Sequence, residues 1–213
     1  MKVLRSFAPL SLGLLITGCA SLQISGEFQA GRTALLEGNN EAALAYFQST
    51  AQKDPTYTYG TAYPQGVWSY LGRVEYAIGR LPQAQQTLEK ALAANRQEDV
   101  ARLYLGLTLA RSGDRQRGVK EIEGGMRGIH DWLEWVTQTH RFSFGQFWDP
   151  RREIRQAIQT DLAMISSREF DWQRLIAEGE WLGKRMEEEI DLARRDESFQ
   201  WSRDNDGGRG SQP

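Results

Sequence analysis

Three glycines set the register of this chain. Gly31, Gly72 and Gly106 are each followed seven residues later by another glycine: Gly38, Gly79 and Gly113. Twelve residues after each stands a small residue (Ala43, Ala84, Gly118), and sixteen after a large apolar one (Phe47, Leu88, Ile122). Nineteen after, a small residue returns (Thr50, Ala91, Gly125). Small residues at matching positions let two antiparallel helices approach closely, and the second glycine breaks the chain between them. The columns predict a helix–turn–helix unit used three times, with helix pairs at about 27–37 and 41–53, 66–79 and 81–94, and 98–111 and 114–127. The second and third units lie 34 residues apart and the first and second 41, so seven residues are inserted between them. The insert falls within residues 54–66, a Tyr-, Gly- and Pro-rich stretch that reads as an ordered or semi-ordered loop. Its tyrosines, Tyr57, Tyr59 and Tyr63, either pack over the joint between units or form a binding feature; packing is the preferred reading.

The central unit, residues 68–94, gives the pattern a name. Trp68, Leu71 and Gly72 share one helical face, residues 79–82 (Gly-Arg-Leu-Pro) interrupt it, and Ala84, Leu88 and Ala91 rebuild an apolar stripe. This arrangement resembles the tetratricopeptide family, with Glu75 in the slot of the family's usual Tyr and Tyr76 beside it. The resemblance covers about residues 24–127 and implies an all-α fold: a short solenoid of about three helix–turn–helix repeats. In that family the first helix of each repeat lines a concave groove along which peptides lie extended. Carried over, the groove positions are Phe28, Arg32 and Leu35, then Ser69, Arg73 and Tyr76, then Leu103 and Leu107, with Ala110 following. Arg32 and Arg73, one repeat apart, either receive a ligand carboxylate by forked hydrogen bonds or pair with the chain's own acids. Leu103 and Leu107 make the third repeat's inner face apolar, which suggests that C-terminal helices fold back over that end.

The N-terminus carries an address. Lys2 and Arg5 precede an apolar run, residues 7–16, too short to span a bilayer. It ends in Ile16-Thr17-Gly18-Cys19, which resembles the lipobox of bacterial lipoproteins. That resemblance implies cleavage after residue 18, a covalent lipid on Cys19 and a lipidated tether over residues 19–26. Cys19 is the only cysteine, so no internal disulfide competes for it. The alternative is a plain signal peptide or uncleaved anchor with an incidental cysteine. In a cell with two membranes, Ala20 after the lipidated residue implies the periplasmic face of the outer membrane.

From Gly128 the repeat pattern stops. Six of the seven tryptophans lie beyond it, at 132, 135, 148, 172, 181 and 201. Residues 128–197 read as an aromatic-rich helical module that caps the array, and residues 198–213 as a disordered tail. Within the module, one helix is expected over about 129–139 and another after Asp149-Pro150. A capping box at residues 166–169 is expected to open a last helix with the stripe Trp172, Leu175, Ile176, Leu182, Met186 and Ile190. The run Glu187-Glu188-Glu189 reads as a charged helix surface. Phe142, Phe144, Phe147 and Trp148 form an aromatic loop that is an alternative docking interface.

Function classes narrow accordingly. A net charge of −2 gives no footprint for nucleic acid. His130 and His140 lack metal-ligand spacing, and neither a catalytic constellation nor a phosphate-binding glycine loop stands out, so no metal and no cofactor beyond the lipid is expected. The expectation is a membrane-anchored adaptor or assembly factor for a cell-envelope complex, without enzymatic activity, whose partners are other envelope proteins or peptides. Its alternative is a spacer that docks through the aromatic module, and an envelope enzyme is the least favoured.

Overall fold

The computed structural model describes residues 14–167 and 171–207, with side chains over 21–167 and 171–201. Eight α-helices account for 80% of it: α1 (Leu14–Leu36), α2 (Asn40–Lys53), α3 (Val67–Ala77), α4 (Leu81–Ala94), α5 (Asp99–Arg111), α6 (Arg115–Thr139), α7 (Glu153–Ser167) and α8 (Trp172–Gly207). The first six form three antiparallel pairs, and each pair turns at its second glycine. Gly38, Gly79 and Gly113 have φ of 78°, 77° and 97°, a left-handed conformation that an L side chain resists. Asn39 and Asp114 then cap the second helices of repeats one and three, accepting from the N–H groups of Ala42 and Arg117 at 3.2 Å.

The first-column glycines hold the pairs together, in a graded way. A Cβ on Gly31 would meet the Phe47 ring at 2.8 Å, and one on Gly72 the Leu88 side chain at 2.5 Å. In the third repeat the obstacle is backbone. A Cβ on Gly106 would lie 2.4 Å from the Ile122 nitrogen, and one on Gly125 2.6 Å from the Leu103 nitrogen. This contact explains α6. The two helices expected over 114–127 and 129–139 are one 25-residue helix, despite four glycines inside it. Each glycine costs an isolated helix up to ~1 kcal/mol. Here Gly118, Gly125 and Gly128 seat α6 on α5, which buries Ile122, Met126, Ile129 and Leu133.

The insert is ordered. Thr58–Tyr59 pairs antiparallel with Gln65–Gly66 as a short hairpin, β1 with β2, and the Trp68 indole donates to the Pro55 carbonyl at 2.8 Å. Its tyrosines pack, as preferred. Tyr57 and Tyr59 lie against Phe28, and Tyr63 lies against Trp132 with ring centroids 4.5 Å apart. Trp132 meets Trp148 edge-on at 4.6 Å, so insert, α6 and the following loop share one aromatic joint.

Four expectations need correction. Residues 21–26 are not a separate tether but part of α1, and residues 198–207 are not an irregular tail but the end of α8. Asp149-Pro150 does not begin α7 directly, because residues 149–152 form a turn with Asp149 at φ 42° and Arg152 at φ 58°. From there the Asp149 carboxylate reaches forward to accept from the N–H groups of Ile154 and Arg155 at 3.1 Å. Ser166 and Ser167 close α7 instead of opening α8, whose start is held by Asp171 accepting from the Gln173 N–H at 3.0 Å. The basic and apolar residues before Leu14, Arg168 and Glu169 of the expected capping box, and residues 208–213 of the expected tail lie outside the described residues.

The α5–α6 contact generates a prediction. Gly106→Ala has no flexible neighbour to displace and is expected to lower unfolding free energy by about 3 kcal/mol, at the upper end for overpacking. Gly26→Ala, with nothing within 4 Å of its Cβ, should be neutral or stabilising. Urea denaturation of both variants decides it; equal midpoints would remove the argument.

Candidate functional site

Register places one residue of each repeat at the same point of the concave face: Arg32, Arg73 and Leu107, each directly after its first-column glycine. That face is covered. Helix α8 crosses the first helices of all three repeats in turn and fills the groove between them. At the third repeat Gly179 rests against Leu103 and Leu107, and Gly183 lies so close to the Tyr104 ring that a Cβ there would sit 2.4 Å from it. At the second, the Tyr76 hydroxyl donates to Glu180 at 2.5 Å. At the first and second together, Glu187 is clamped: Arg32 Nε donates to one carboxylate oxygen at 2.5 Å and Arg73 Nη1 to the other at 2.8 Å. The Tyr70 hydroxyl donates to the same carboxylate at 3.0 Å. Arg32 also reaches Asp191 at 3.1 Å and stacks over the Tyr59 ring at 4.0 Å.

The electrostatics of the clamp follow from its dryness. Glu187 is 1% exposed, and Arg32 and Arg73 are each 3% exposed. Burial works to raise the Glu187 carboxyl, but the charges and hydrogen bonds of Arg73 and Arg32 outweigh it and hold the group below the ordinary carboxylate range. Burial works against the two guanidiniums, and the Glu187 charge overrides it in both, so each stays firmly protonated. A second polar knot, two residues further along α8, ties it to the turn before α7. Glu189 accepts from the Asp149 N–H at 2.5 Å, and Arg155 Nε donates to Asp149 at 3.0 Å.

The groove residues named from the sequence are thus brought together, though not as an open peptide surface. Phe28, Ser69, Arg73, Tyr76, Leu103 and Leu107 are buried, with Arg32, and Leu35 is half-buried against the core. Of the two readings of Arg32 and Arg73, pairing with the chain's own acids is the one observed. Glu187 was the residue missed. The acidic run is not uniformly surface, for Glu187 and Glu189 are buried on either side of the half-buried Glu188. The signal was available: Glu187 falls four residues after Gly183 and three before Ile190, inside the apolar stripe of α8.

The alternative interface divides. Trp148 is buried, Phe144 and Phe147 are half-buried, and Phe142 is exposed. His140 stacks on Phe144 at 4.4 Å and faces Trp135 edge-on, while His130 meets Asp131 and Gln159. Among the described residues no group of three or more His, Cys, Asp or Glu could hold a metal, and no helix is long and apolar enough to cross a membrane. A cleft of about 560 Å³ lies between the hairpin and α8, lined by Tyr59, Thr61, Tyr63, Trp148, Arg194 and Glu197.

Two outcomes follow from the buried charges. Glu187→Gln leaves two guanidiniums without a counter-charge and should cost about 3–5 kcal/mol, whereas Asp191→Asn, at the solvated end of the same network, should cost less than ~1 kcal/mol. Chemical denaturation of the two variants separates them. The pH dependence is unusual. Burial raises Glu98 to about 7, against a lesser opposing effect of the Gly66 N–H, and raises Asp99 to about 6. The folded state therefore holds protons that the unfolded chain has released above its ordinary carboxylate values, and stability falls as pH rises from about 4.5 to 7. Glu187 acts oppositely: its contribution is present above the ordinary value and is lost as pH falls below it. Thermal unfolding should give a maximum near pH 5, and Glu98→Gln should flatten the decline above it.

The family model described as tetratricopeptide repeat matches residues 34–107, from the last turn of α1 into α5. No curated protein and no solved structure matches the chain. The fold is an all-α helical-repeat solenoid, and its residues 34–107 are tetratricopeptide-like.

Proposed function

We propose that this protein is a lipid-anchored interaction scaffold of the cell envelope, with Cys19 as the acylated residue and partner docking in the cleft between the hairpin and α8. The observation that carries the docking part is the occupation of the concave groove. The carboxylate-binding arginines are already engaged by Glu187, and the apolar inner face is covered by Gly179 and Gly183. The cleft beside it keeps what a peptide site requires: aromatic walls from Tyr59, Tyr63 and Trp148, with Arg194 and Glu197 at its mouth as polar groups of both signs. The tetratricopeptide match supports an interaction role in general, by analogy of fold. The anchor is supported by the Ile16-Thr17-Gly18-Cys19 sequence, the apolar run before it and the absence of any other cysteine. Nothing in the two-histidine geometry supports a catalytic reading, since the imidazoles stand ten residues apart on one helix end, ~15 Å along its axis.

Photocrosslinking in the native cell tests the docking reading, with the probe at Thr61 in the cleft and, separately, at Tyr76 beneath α8. A defined partner adduct at Thr61 and only intramolecular products at Tyr76 are expected. A partner adduct at Tyr76 alone would return the groove to ligand binding, and silence at both would count against a scaffold. Cys19→Ser tests the anchor independently and should move the protein out of the membrane fraction.

A further inference from the structure

The three helix pairs share a common edge, where first helices begin and second helices end. Contacts mark its level: Glu27 of α1 accepts from Ser49 and Lys53 at the end of α2, and Gly128 of α6 abuts Asp99 at the start of α5. Two helices overrun this level. In the acylated chain, which begins at Cys19, residues 19–26 of α1 project beyond it by ~12 Å, and residues 129–139 of α6 by ~16 Å, at the rise of an α-helix. The overrunning part of α1 begins at Cys19. The overrunning part of α6 leads into the aromatic loop.

These two extensions and the aromatic loop carry half of the exposed large apolar side chains among the described residues: Leu22 at 75%, Trp135 at 52% and Phe142 at 85%, of six in all. Cationic charge accompanies the aromatics. The Arg141 guanidinium lies over the Phe142 ring at 4.5 Å. In the adjoining cleft of about 370 Å³, Arg152 and Arg155 are paired with Glu134, and Arg155 also with Asp149, which leaves Arg141 as the arginine outside these pairs. Asp131, the exposed acid of this extension, sits a turn nearer the array than Trp135. Aromatic side chains with arginine beside them suit the headgroup level of a bilayer, where the ring enters the apolar boundary and the cation meets phosphate.

We infer that the end of α6 and its loop form a second membrane contact, in which Trp135 and Phe142 enter the interface and Arg141 meets the phosphate of anionic lipids. The inference rests on the anchor reading above, because the anchor brings this edge of the solenoid to the bilayer. A bilayer fits the face better than a second copy of the chain, since exposed aromatics with Arg141 beside them lie at the same edge of the helix pairs as the start of α1, from which the anchor leaves. Held at two points, the solenoid takes a fixed orientation on the membrane and presents its opposite edge, with the turns at Gly38, Gly79 and Gly113, away from it.

The test uses the full chain, purified from bacterial membranes and reconstituted into vesicles of phosphatidylcholine with or without phosphatidylglycerol. A nitroxide label is placed through Phe142→Cys or, on the opposite edge, Arg80→Cys, and its collisions with oxygen and with a water-soluble nickel chelate are compared. At position 142 a gain in oxygen collisions and a loss of chelate collisions relative to position 80 are expected, larger with phosphatidylglycerol and reduced by Arg141→Glu. The intact mass of the same sample reports acylation at Cys19. An acylated, vesicle-bound chain whose label at 142 is as water-accessible as that at 80 overturns the second contact and leaves the anchor standing. An unmodified Cys19 in a chain that stays off the vesicles overturns both. Dipolar broadening between labels at 142 would assign the face to a second copy and overturn the bilayer.

Discussion

A single buried carboxylate between two arginines determines how this solenoid is closed. Taking Glu187, Arg32 and Arg73 out of water is unfavourable for each alone, and only their joint geometry makes it tolerable. The carboxylate receives both guanidiniums and the Tyr70 hydroxyl, so its negative charge is met on each oxygen. Because Arg32 and Arg73 belong to successive repeats, the clamp fixes those repeats to one another as well as to α8. Gly179 against Leu103 and Leu107 adds the third. A repeat array is ordinarily held only by contacts between neighbours. Here one helix touches all three repeats, and the array becomes a closed unit with an internal core.

The second constraint is the approach of α5 and α6. Backbone meets backbone at Gly106, Gly118 and Gly125, and that close seat lets a glycine-rich segment remain helical far past the end of its repeat. The continuation of α6 then determines what lies at the edge of the solenoid. It brings Trp132 to Tyr63 of the hairpin and to Trp148, which ties the insert to the C-terminal module. It also carries Trp135 and the aromatic loop outward, past the start of α5. The docking cleft and the membrane face both depend on this one helix, which leads into the loop that carries Phe142 and Trp148.

Local chemistry made much of the fold legible. The glycine and small-residue columns gave three helix pairs whose observed bounds lie within two residues of the expected ones, apart from the long extensions of α1 and α6. Asp114 was recognisable as a cap, since a side-chain acceptor before a helix has one obvious use. The errors arose where distant contacts overrule local preference. Gly124, Gly125 and Gly128 favour a break in an isolated segment, yet packing on α5 keeps them helical. Ser166 and Ser167 have the composition of a cap but end a helix, because Asp171 supplies the acceptor for α8.

What the amino-acid sequence determined by itself was periodic and short-range: an all-α repeat array, its turns at Gly38, Gly79 and Gly113, and the two arginines facing the same way one repeat apart. What only the tertiary structure decided was which partner those arginines take. The choice between an external carboxylate and an internal one depends on whether Glu187 can reach across more than a hundred residues of chain, and no local pattern encodes that distance. The apolar stripe of α8 and its two glycines at the points of closest contact bring the carboxylate into the groove. Burial then makes the pairing exclusive, because a guanidinium removed from water requires a counter-charge at bonding distance and here has one.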